Sequence, residues 1–524
     1  MLERTTKPLK EMKYGTSGFR DLFGLDLKNA IKRTTLVAIV RMLETNSSIG
    51  LMITASHNPV NDNGIKLIDH DGESIPTEYE EICNEFVNST KGEEIFVKYL
   101  LKICKIPGIK QMKSHFNKNT RILLGRDTRP SSPELIHDVI ELLKYLEIPY
   151  YYHHIVSTPE LHYLTKETNA TGKIIVHHNY INFLLINFSI LKNSKSKIYF
   201  KTSASINEDK NFCCTFCINE GNRPFEINEE KKIESFNAKS IELSNKDVSI
   251  EQTDKIILHP VDTAYGVGSK VLKDLKLNIE IITGDLLNFN CGSDYVLTSG
   301  KPKHFIEDTW QAAFDGDADR IIYFKMKNDK IRILDGDNLC IKLGMILNKV
   351  FPEQKIGCVL SIYSNSKAIN FAKQFMQVEI AETGVKNFIK KVKAFELGLF
   401  FEPNGHGSLH YTKEVYNKSN DYQRAVLNLL SLGDAVSNYL VIESLVDLEK
   451  ELYKPNPIKD IALKVKDKNR KVDIGSILKK YKCNGFIRAS GTEDVIRLHL
   501  EGESTDNIEK CSIECVNMIY NSQE

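Results

Sequence analysis

The chain has 524 residues, room for about three or four domains. Hydrophobic residues make up 41%, enough for sizeable cores, and 70 Lys and Arg against 69 Asp and Glu leave a net charge of +1. That balance excludes the strong basic field of a nucleic-acid binder and supplies no field for a membrane surface.

The opening segment, MLERTTKPLKEMKYG, mixes charges without an apolar run, so no signal peptide is expected there. In chain order, 50–56 reads as a strand running into a loop, and 121–127 as a second strand. Apolar residues at 135, 136, 139, 140, 143 and 146 predict an amphipathic helix over 133–146, followed by a short strand at 147–152. The longest apolar stretch, Phe183 to Leu191, is broken by Asn187 and Ser189 and is shorter than the ~20 residues a membrane span needs. The segment 190–250, rich in Lys, Asn, Ser and Glu, reads as surface loops or an irregular part of a second domain. Within it, Cys213, Cys214 and Cys217 contain a C-x-x-C, but no second Cys/His pair follows as a zinc site requires. The 11 cysteines are therefore expected to be reduced thiols of a cytoplasmic protein.

Strand, helix and strand recur at 256–261, 270–275 and 278–283, and again at 355–362, 366–375 and 378–383. Such alternation predicts α/β domains with parallel strands. The charged stretch near 447–456, with Pro455 and Pro457, is the expected linker to a smaller α+β domain with strands at 484–489 and 494–501 and a helix at 505–519.

Four segments carry the chemistry. Thr54-Ala55-Ser56-His57-Asn58-Pro59, followed by Asn63-Gly64-Ile65-Lys66, places a serine beside a histidine at a strand end. A serine is a weak nucleophile unless a base takes its proton or it already carries the group to be transferred. Asn-Pro and Asn-Gly are also ordinary turn pairs, so this segment alone leaves a plain turn open. Asp315-Gly316-Asp317-Ala318-Asp319-Arg320 sets carboxylates at alternate positions, which on an extended backbone converge on one side. Three such charges repel unless a cation sits among them, and hard oxygen ligands favour Mg²⁺ or Ca²⁺. A calcium EF-hand is excluded, because Arg320 replaces its glycine and Met326 its final glutamate.

The third segment, Glu402-Pro403-Asn404-Gly405-His406-Gly407-Ser408, gathers groups suited to sugar hydroxyls on a glycine-containing loop. The fourth, Arg488-Ala489-Ser490-Gly491-Thr492-Glu493-Asp494 with Arg497, offers backbone N–H groups, hydroxyls and two guanidinium forks suited to phosphate. Alone, each of these also reads as a polar turn. Together the four supply a carrier, a metal, a sugar-reading loop and a separate phosphate cradle, which is what phosphoryl transfer within a sugar phosphate requires.

The combination T-A-S-H-N-P, D-G-D-A-D-R, E-x-N-G-H-G and R-x-S-G-T-E-D resembles the α-D-phosphohexomutase superfamily. The N-G-H-G form of the sugar loop is most similar to the eukaryotic phosphoacetylglucosamine mutase branch. Segments 14–20, 125–130, 158–163 and 383–386 also resemble that family, so the likeness runs from residue 14 to about 501. It implies four domains around a central cleft, three related α/β domains with mixed sheets and a smaller C-terminal α+β domain, here bounded at 1–168, 169–326, 327–446 and 447–524. It implies a phosphorylated Ser56 and Mg²⁺ held by Asp315, Asp317, Asp319 and an oxygen on Ser56. Arg20, His57 and Lys66 would complete the catalytic group, Lys66 as general base with His57 as the alternative. Arg320, Thr383, Gly384, Lys386, Glu402, Asn404, Gly405, His406 and Ser408 would meet the sugar phosphate. Arg488, Ser490, Gly491, Thr492 and Arg497 would hold the phosphate that is not reacting. The implied reaction converts N-acetylglucosamine 6-phosphate reversibly to the 1-phosphate through a 1,6-bisphosphate, for UDP-N-acetylglucosamine synthesis, in a monomer with no nucleic-acid or membrane partner. A phosphoglucomutase or phosphomannomutase is the alternative, and a sugar-phosphate-binding protein without catalysis a further one.

Overall fold

The structure is a computed structural model that describes residues 8–15, 18–192, 198–201, 247–250, 258–489 and 495–522, with only the backbone described at 198–201 and 247–250. Thr16 and Ser17, the cysteines at 213, 214 and 217, and the turn Ser490-Gly491-Thr492 lie outside the described residues. The chain divides into two compact units, one of Met1–Leu334 with His406–Val446, the other of Asp335–Gly405 with Asp447–Glu524.

The first unit holds two sheets built to one plan. In the first, the spatial order is Phe19–Leu22, Asp62–Ile68, Ile49–Ile53, Ile122–Arg126, Tyr150–Ile155. The first three strands pair antiparallel and the last three parallel. In the second the order is Lys330–Leu334, Ile321–Lys327, Trp310–Phe314, Val261–Asp262, Ile281–Ile282, with the same change from antiparallel to parallel pairing. The serine loop and the acidic loop therefore occupy equivalent places. Each leaves the middle strand of its sheet and enters the antiparallel neighbour.

The central strands Ile49–Ile53, Ile122–Arg126 and Trp310–Phe314 are buried on both faces, as strands covered on both sides must be. Leu51 and Ile53 join Ile65, Leu67, Ile122 and Leu124 in the core beneath the helices Leu25–Thr45 and Ser132–Tyr145. Met52, Ile68 and Leu123 face the other way, against Val156 and, from the helix Thr158–Thr171, Leu161. The period of two along each strand decides which residues go to which face. The predicted helix at 133–146 is found at Ser132–Tyr145, and the strand expected at 147–152 is displaced to Tyr150–Ile155.

Leu25–Thr45 and His177–Leu191 are among the helices that the sequence pattern did not reveal. Leu25–Thr45 buries Asn29, Arg33, Thr34 and Thr35 along with its apolar residues, so no polar face marks it out. Thr34 and Thr35 return their hydroxyls to the carbonyls of Ala30 and Ile31, and Arg33 donates to the carbonyls of Phe86 and Val87, which is how these groups tolerate burial. The apolar stretch at 183–191 proves to be part of a helix, His177–Leu191. Among the described residues, no helix is long and apolar enough to cross a membrane. Of 190–250, the helix end and one antiparallel pair, Ile198–Lys201 with Asp247–Ile250, are described.

In the second unit, Ile356–Ser361 lies parallel to both Gln377–Ala381 and Leu397–Phe401. The helix Val385–Val392 covers them with Phe388 and Val392, which pack with Val359, Ala381 and Phe400. The C-terminal part is an antiparallel sheet, Ile458–Lys464, Val495–Gly502 and Cys483–Ala489 in spatial order. Ile477, Ile508, Cys511, Cys515 and Ile519 from its two helices bury Leu463, Leu498 and Leu500. The stretch 447–456 before it has no regular structure.

Candidate active site

Ser56 is 1% exposed and adopts a left-handed backbone, φ +51°. Its N–H donates to Thr54 Oγ1 at 3.0 Å, and that hydroxyl donates to Asp127 Oδ2 at 2.8 Å. Its own hydroxyl donates to Asp315 Oδ2 at 2.8 Å, so the serine and acidic loops of the two sheets meet.

The acidic segment corrects one sequence expectation. Its backbone is a turn, closed by Ala318 N–H to Asp315 O at 3.2 Å, with Ala318 left-handed at φ +60°. The three carboxylates converge because the chain reverses, not because alternate residues of an extended strand share a side. The N–H groups of Asp319 and Arg320 fold back onto Asp315 Oδ1 at 3.0 and 3.1 Å. One oxygen from each of Asp315, Asp317 and Asp319 lies within 4.8 Å of the others.

Cations ring the triad. Lys66 Nζ is 3.0 Å from Asp317 Oδ2 and 3.7 Å from Asp319 Oδ2. Arg320 Nε lies 3.9 Å from Asp315 and 3.8 Å from Asp319. Arg20 donates to Asn58 Oδ1 at 2.8 Å, with its Nε buried and without a hydrogen-bond partner. Burial pushes the Arg20 pKa down, Asp317 opposes that, and Arg320 adds to it. Burial also raises Asp315 well above the carboxylate range, and Asp319 and Asp317 add their repulsion. Burial acts the same way on Asp317, but Lys66 and the Thr158 hydroxyl outweigh it and hold that carboxyl low.

The donor set fits a hard divalent cation. Three carboxylates converge, Oδ1 of Asp317 and of Asp319 are buried without a hydrogen-bond partner, and the repulsion that raises Asp315 is what a cation relieves.

His57 is pushed down to about 2 by burial first, then by the charges of Arg320 and Arg20. Its ring is neutral at pH 7, and Nδ1 is buried without a partner. His406 Nδ1 lies 2.8 Å from the carbonyl of Asp319, which brings one residue of the 402–408 segment to the acidic loop. The Ser408 hydroxyl is turned to the carbonyls of Leu430 and Ser431, at 3.3 and 3.2 Å.

The remaining candidates lie in the second unit. Glu402, Asn404 and Gly405 form a tight turn, with Gly405 N–H donating to Glu402 O at 2.9 Å and Gly405 at φ +91°. Gly336 supports it from below. Its N–H donates to Pro403 O at 3.1 Å, and a Cβ there would lie 1.8 Å from Glu402 O, so no larger residue fits. Gly384 N–H reaches Glu402 Oε1 at 3.4 Å, tying the Thr383–Lys386 segment to that turn.

Arg488 hydrogen-bonds the hydroxyl of Thr383, and its Nε is buried without a partner. In the antiparallel register Arg488 stands directly opposite Arg497. Like charges so placed destabilise a sheet, and an anion between them removes the cost.

Sequence reasoning gave no role to the supports of the acidic and serine loops. Thr158 hydrogen-bonds Asp317 twice, hydroxyl to Oδ2 at 2.6 Å and N–H to the carbonyl at 3.2 Å. Asp127 and Arg129, both 0% exposed, form a buried ion pair at 3.0 Å that also takes Thr54 and Ser132. The signal was present, since both pairs lie in segments singled out as family-like, but nothing local says what a buried D-x-R grips.

The model of phosphoglucomutase/phosphomannomutase α/β/α domain I matches residues 13–94 and 97–195. That of domain III of phosphoacetylglucosamine mutase AMG1 matches 328–450, and that of the phosphoglucomutase/phosphomannomutase C-terminal domain matches 446–517. A probable phosphoacetylglucosamine mutase of Encephalitozoon cuniculi is 28% identical over 99% of this chain and 95% of its own. The phosphoacetylglucosamine mutase of Sus scrofa is 29% identical over 96% and 93%. A crystal structure of N-acetylglucosamine-phosphate mutase in its product complex superposes with a TM-score of 0.77 at 25% identity, covering 99% of this chain and 98% of that one.

Proposed function

Since the chain belongs to the α-D-phosphohexomutase superfamily, we propose that it is an isomerase with phosphoacetylglucosamine mutase activity, interconverting N-acetylglucosamine 6-phosphate and N-acetylglucosamine 1-phosphate. The observation that carries the reading is the Ser56 hydroxyl at 2.8 Å from Asp315, inside a triad suited to a cation. A serine hydroxyl so placed becomes, once phosphorylated, a phosphoryl group beside the ion that stabilises its transfer.

The proposed cycle has two transfers. In the first, the bond from Ser56 Oγ to phosphorus breaks and one to the sugar O1 forms, the proton of the sugar hydroxyl passes to a base, and the freed Ser56 Oγ takes up a proton. The 1,6-bisphosphate then turns over in the site. In the second, the bond from O6 to phosphorus breaks and one to Ser56 Oγ forms, the serine hydroxyl gives up its proton, and O6 takes one up, leaving the 1-phosphate. Asp315, Asp317 and Asp319 would hold Mg²⁺, which when bound would supply a Lewis acid to offset charge on the transferring oxygens. Arg20 and Arg320 add fixed positive charge beside Ser56.

Lys66 is the proposed proton carrier. It lies against the triad, and His57, pushed down to about 2, binds a proton too weakly to serve. Arg488 and Arg497 are proposed to hold the idle phosphate, supported by their opposed register. Glu402, Asn404 and His406 are proposed to read the sugar hydroxyls in both orientations.

Intact-protein mass spectrometry tests the carrier. The purified enzyme should show a species heavier by one phosphoryl group that disappears in Ser56→Ala, and full mutase activity in that variant would refute the reading. A coupled assay with N-acetylglucosamine 6-phosphate, glucose 6-phosphate and mannose 6-phosphate tests the substrate. A highest kcat/KM for glucose 6-phosphate would move the enzyme to the phosphoglucomutase branch. The same reading takes the enzyme to be a cytoplasmic monomer, and gel filtration at a dimer's mass would overturn the second half of it.

A further inference from the structure

Two side chains grip the peptide that carries Ser56. Nη2 of Arg129 donates to the carbonyl oxygens of Ser56 and Asn58 at 2.8 and 2.9 Å. Nδ2 of Asn288 donates to the same two oxygens, also at 2.8 and 2.9 Å. Each carbonyl therefore receives two donors, which satisfies both of its lone pairs. Gly316 of the acidic loop closes the third side. A Cβ on it would lie 2.7 Å from Ser56 O and 3.0 Å from Asn288 Nδ2.

The grip matters because of the backbone it holds. Ser56 sits at φ +51°, a conformation that a non-glycine residue keeps only when its surroundings impose it. From that conformation the hydroxyl reaches Asp315. A relaxed peptide would re-aim Oγ.

Arg129 has other duties as well, since Nε holds Asp127 and Nη1 holds the carbonyls of Pro59 and Asp62. Asn288 does not. It is half-buried, sits in the left-handed region at φ +56° where asparagine is tolerated, and is anchored by its own N–H to Ala264 O at 3.0 Å. Its amide is therefore separable from the loop that carries it.

We propose that Asn288 is a positioning residue for the carrier serine: with Arg129, its amide locks the Ser56 peptide in the left-handed conformation that aims Oγ at the acidic triad. The proposal rests on Ser56 being the phosphoryl carrier. The chemistry calls for such a lock, because one serine must give a phosphoryl group to one end of the sugar and take it back from the other, and small misplacements of a reacting atom are costly.

The test uses the full chain with saturating Mg²⁺ and N-acetylglucosamine 6-phosphate. Asn288→Asp keeps the shape and the tolerance of positive φ, but sets a carboxylate against two carbonyl oxygens. Asn288→Gly keeps the tolerance and removes the donor. Asn288→Asp is expected to lower kcat by about tenfold or more while KM stays within about twofold and the thermal midpoint is retained. Asn288→Gly is expected to lose less. A purely structural role predicts the reverse order, with the glycine variant worse and its thermal midpoint falling in step. That order, or kcat within about twofold of the parent in both variants, overturns the proposal. Ser56→Ala, assayed alongside, separates the two ideas. Activity there overturns the carrier reading and this inference together, whereas a silent Asn288 overturns the inference alone.

Discussion

The hydroxyl of Ser56 donates to Oδ2 of Asp315 at 2.8 Å across 259 positions of the chain. Burial and its two acidic neighbours push the Asp315 carboxyl well above the ordinary carboxylate range. The proposed carrier is thus bonded to a carboxyl whose charge a cation would relieve, an arrangement suited to an ion and a phosphoryl group together.

Metal removal should therefore be felt in stability as well as in turnover. Chelation is expected to abolish activity, and Mg²⁺ should restore it and raise the thermal midpoint. Ligand linkage gives about 2.7 kcal/mol of stabilisation at a hundred times Kd. Thermal scans across a Mg²⁺ titration check this, and a midpoint indifferent to Mg²⁺ would mean the triad does not hold the ion.

Thr158 orients Asp317 through a 2.6 Å hydrogen bond. Replacing it by valine keeps the shape and deletes the donor. Partners of metal ligands typically matter by about 10- to 100-fold in metal affinity. Thr158→Val should need that much more Mg²⁺ for half-maximal activity and recover near-parental kcat at saturation. A loss of kcat that no Mg²⁺ concentration repairs would give Thr158 a different role.

Arg488→Ala should separate binding from chemistry. Loss of a charge-assisted bond to phosphate, worth about 1.5–3 kcal/mol, predicts a KM raised about 10- to 100-fold. Because Arg488 faces Arg497 across the strand pair, its removal also relieves repulsion, so the thermal midpoint should not fall with affinity. Steady-state kinetics and calorimetry read the two effects, and an unchanged KM would remove Arg488 from the phosphate site.

Asp434 should make stability pH-dependent. It is fully buried, caps the helix Ala435–Leu445, hydrogen-bonds Tyr180 and lies near Glu160. Burial first, then Glu160, raises its pKa from 3.8 to about 7. A raised acid binds more protons folded than unfolded, so its contribution is fully present below the unfolded value. It is lost as pH rises from about 4 through about 7, and levels off above. Asp434→Asn keeps a capping side chain and should flatten the fall in thermal midpoint across that window. A parallel pH profile in the variant would contradict this.

Legibility from sequence followed the range of the interaction. Asp315, Asp317 and Asp319 lie within five positions, so their mutual repulsion and need for a cation could be read directly, though the turn at Ala318 that gathers them could not. The helix Leu25–Thr45 was hidden because Arg33, Thr34 and Thr35 find backbone partners and so occupy positions where the pattern demands apolar residues. Asn288 carried no local mark, since one asparagine in a polar loop looks like any other.

By itself, the sequence determined the chemical inventory: a serine at a strand end, three acids at alternate positions, a polar glycine loop, and two arginines flanking a turn on paired strands. It also determined the alternation of strands and helices that makes the sheets, because those patterns arise from neighbours a few residues apart. The tertiary structure alone decided which groups meet. Ser56 with Asp315, Lys66 with Asp317 and Thr158 with Asp317 are partners 259, 251 and 159 positions apart. Their meeting depends on sheet register, where a slip of one residue would turn every side chain to the opposite face, and on left-handed turns held open by donors from distant loops.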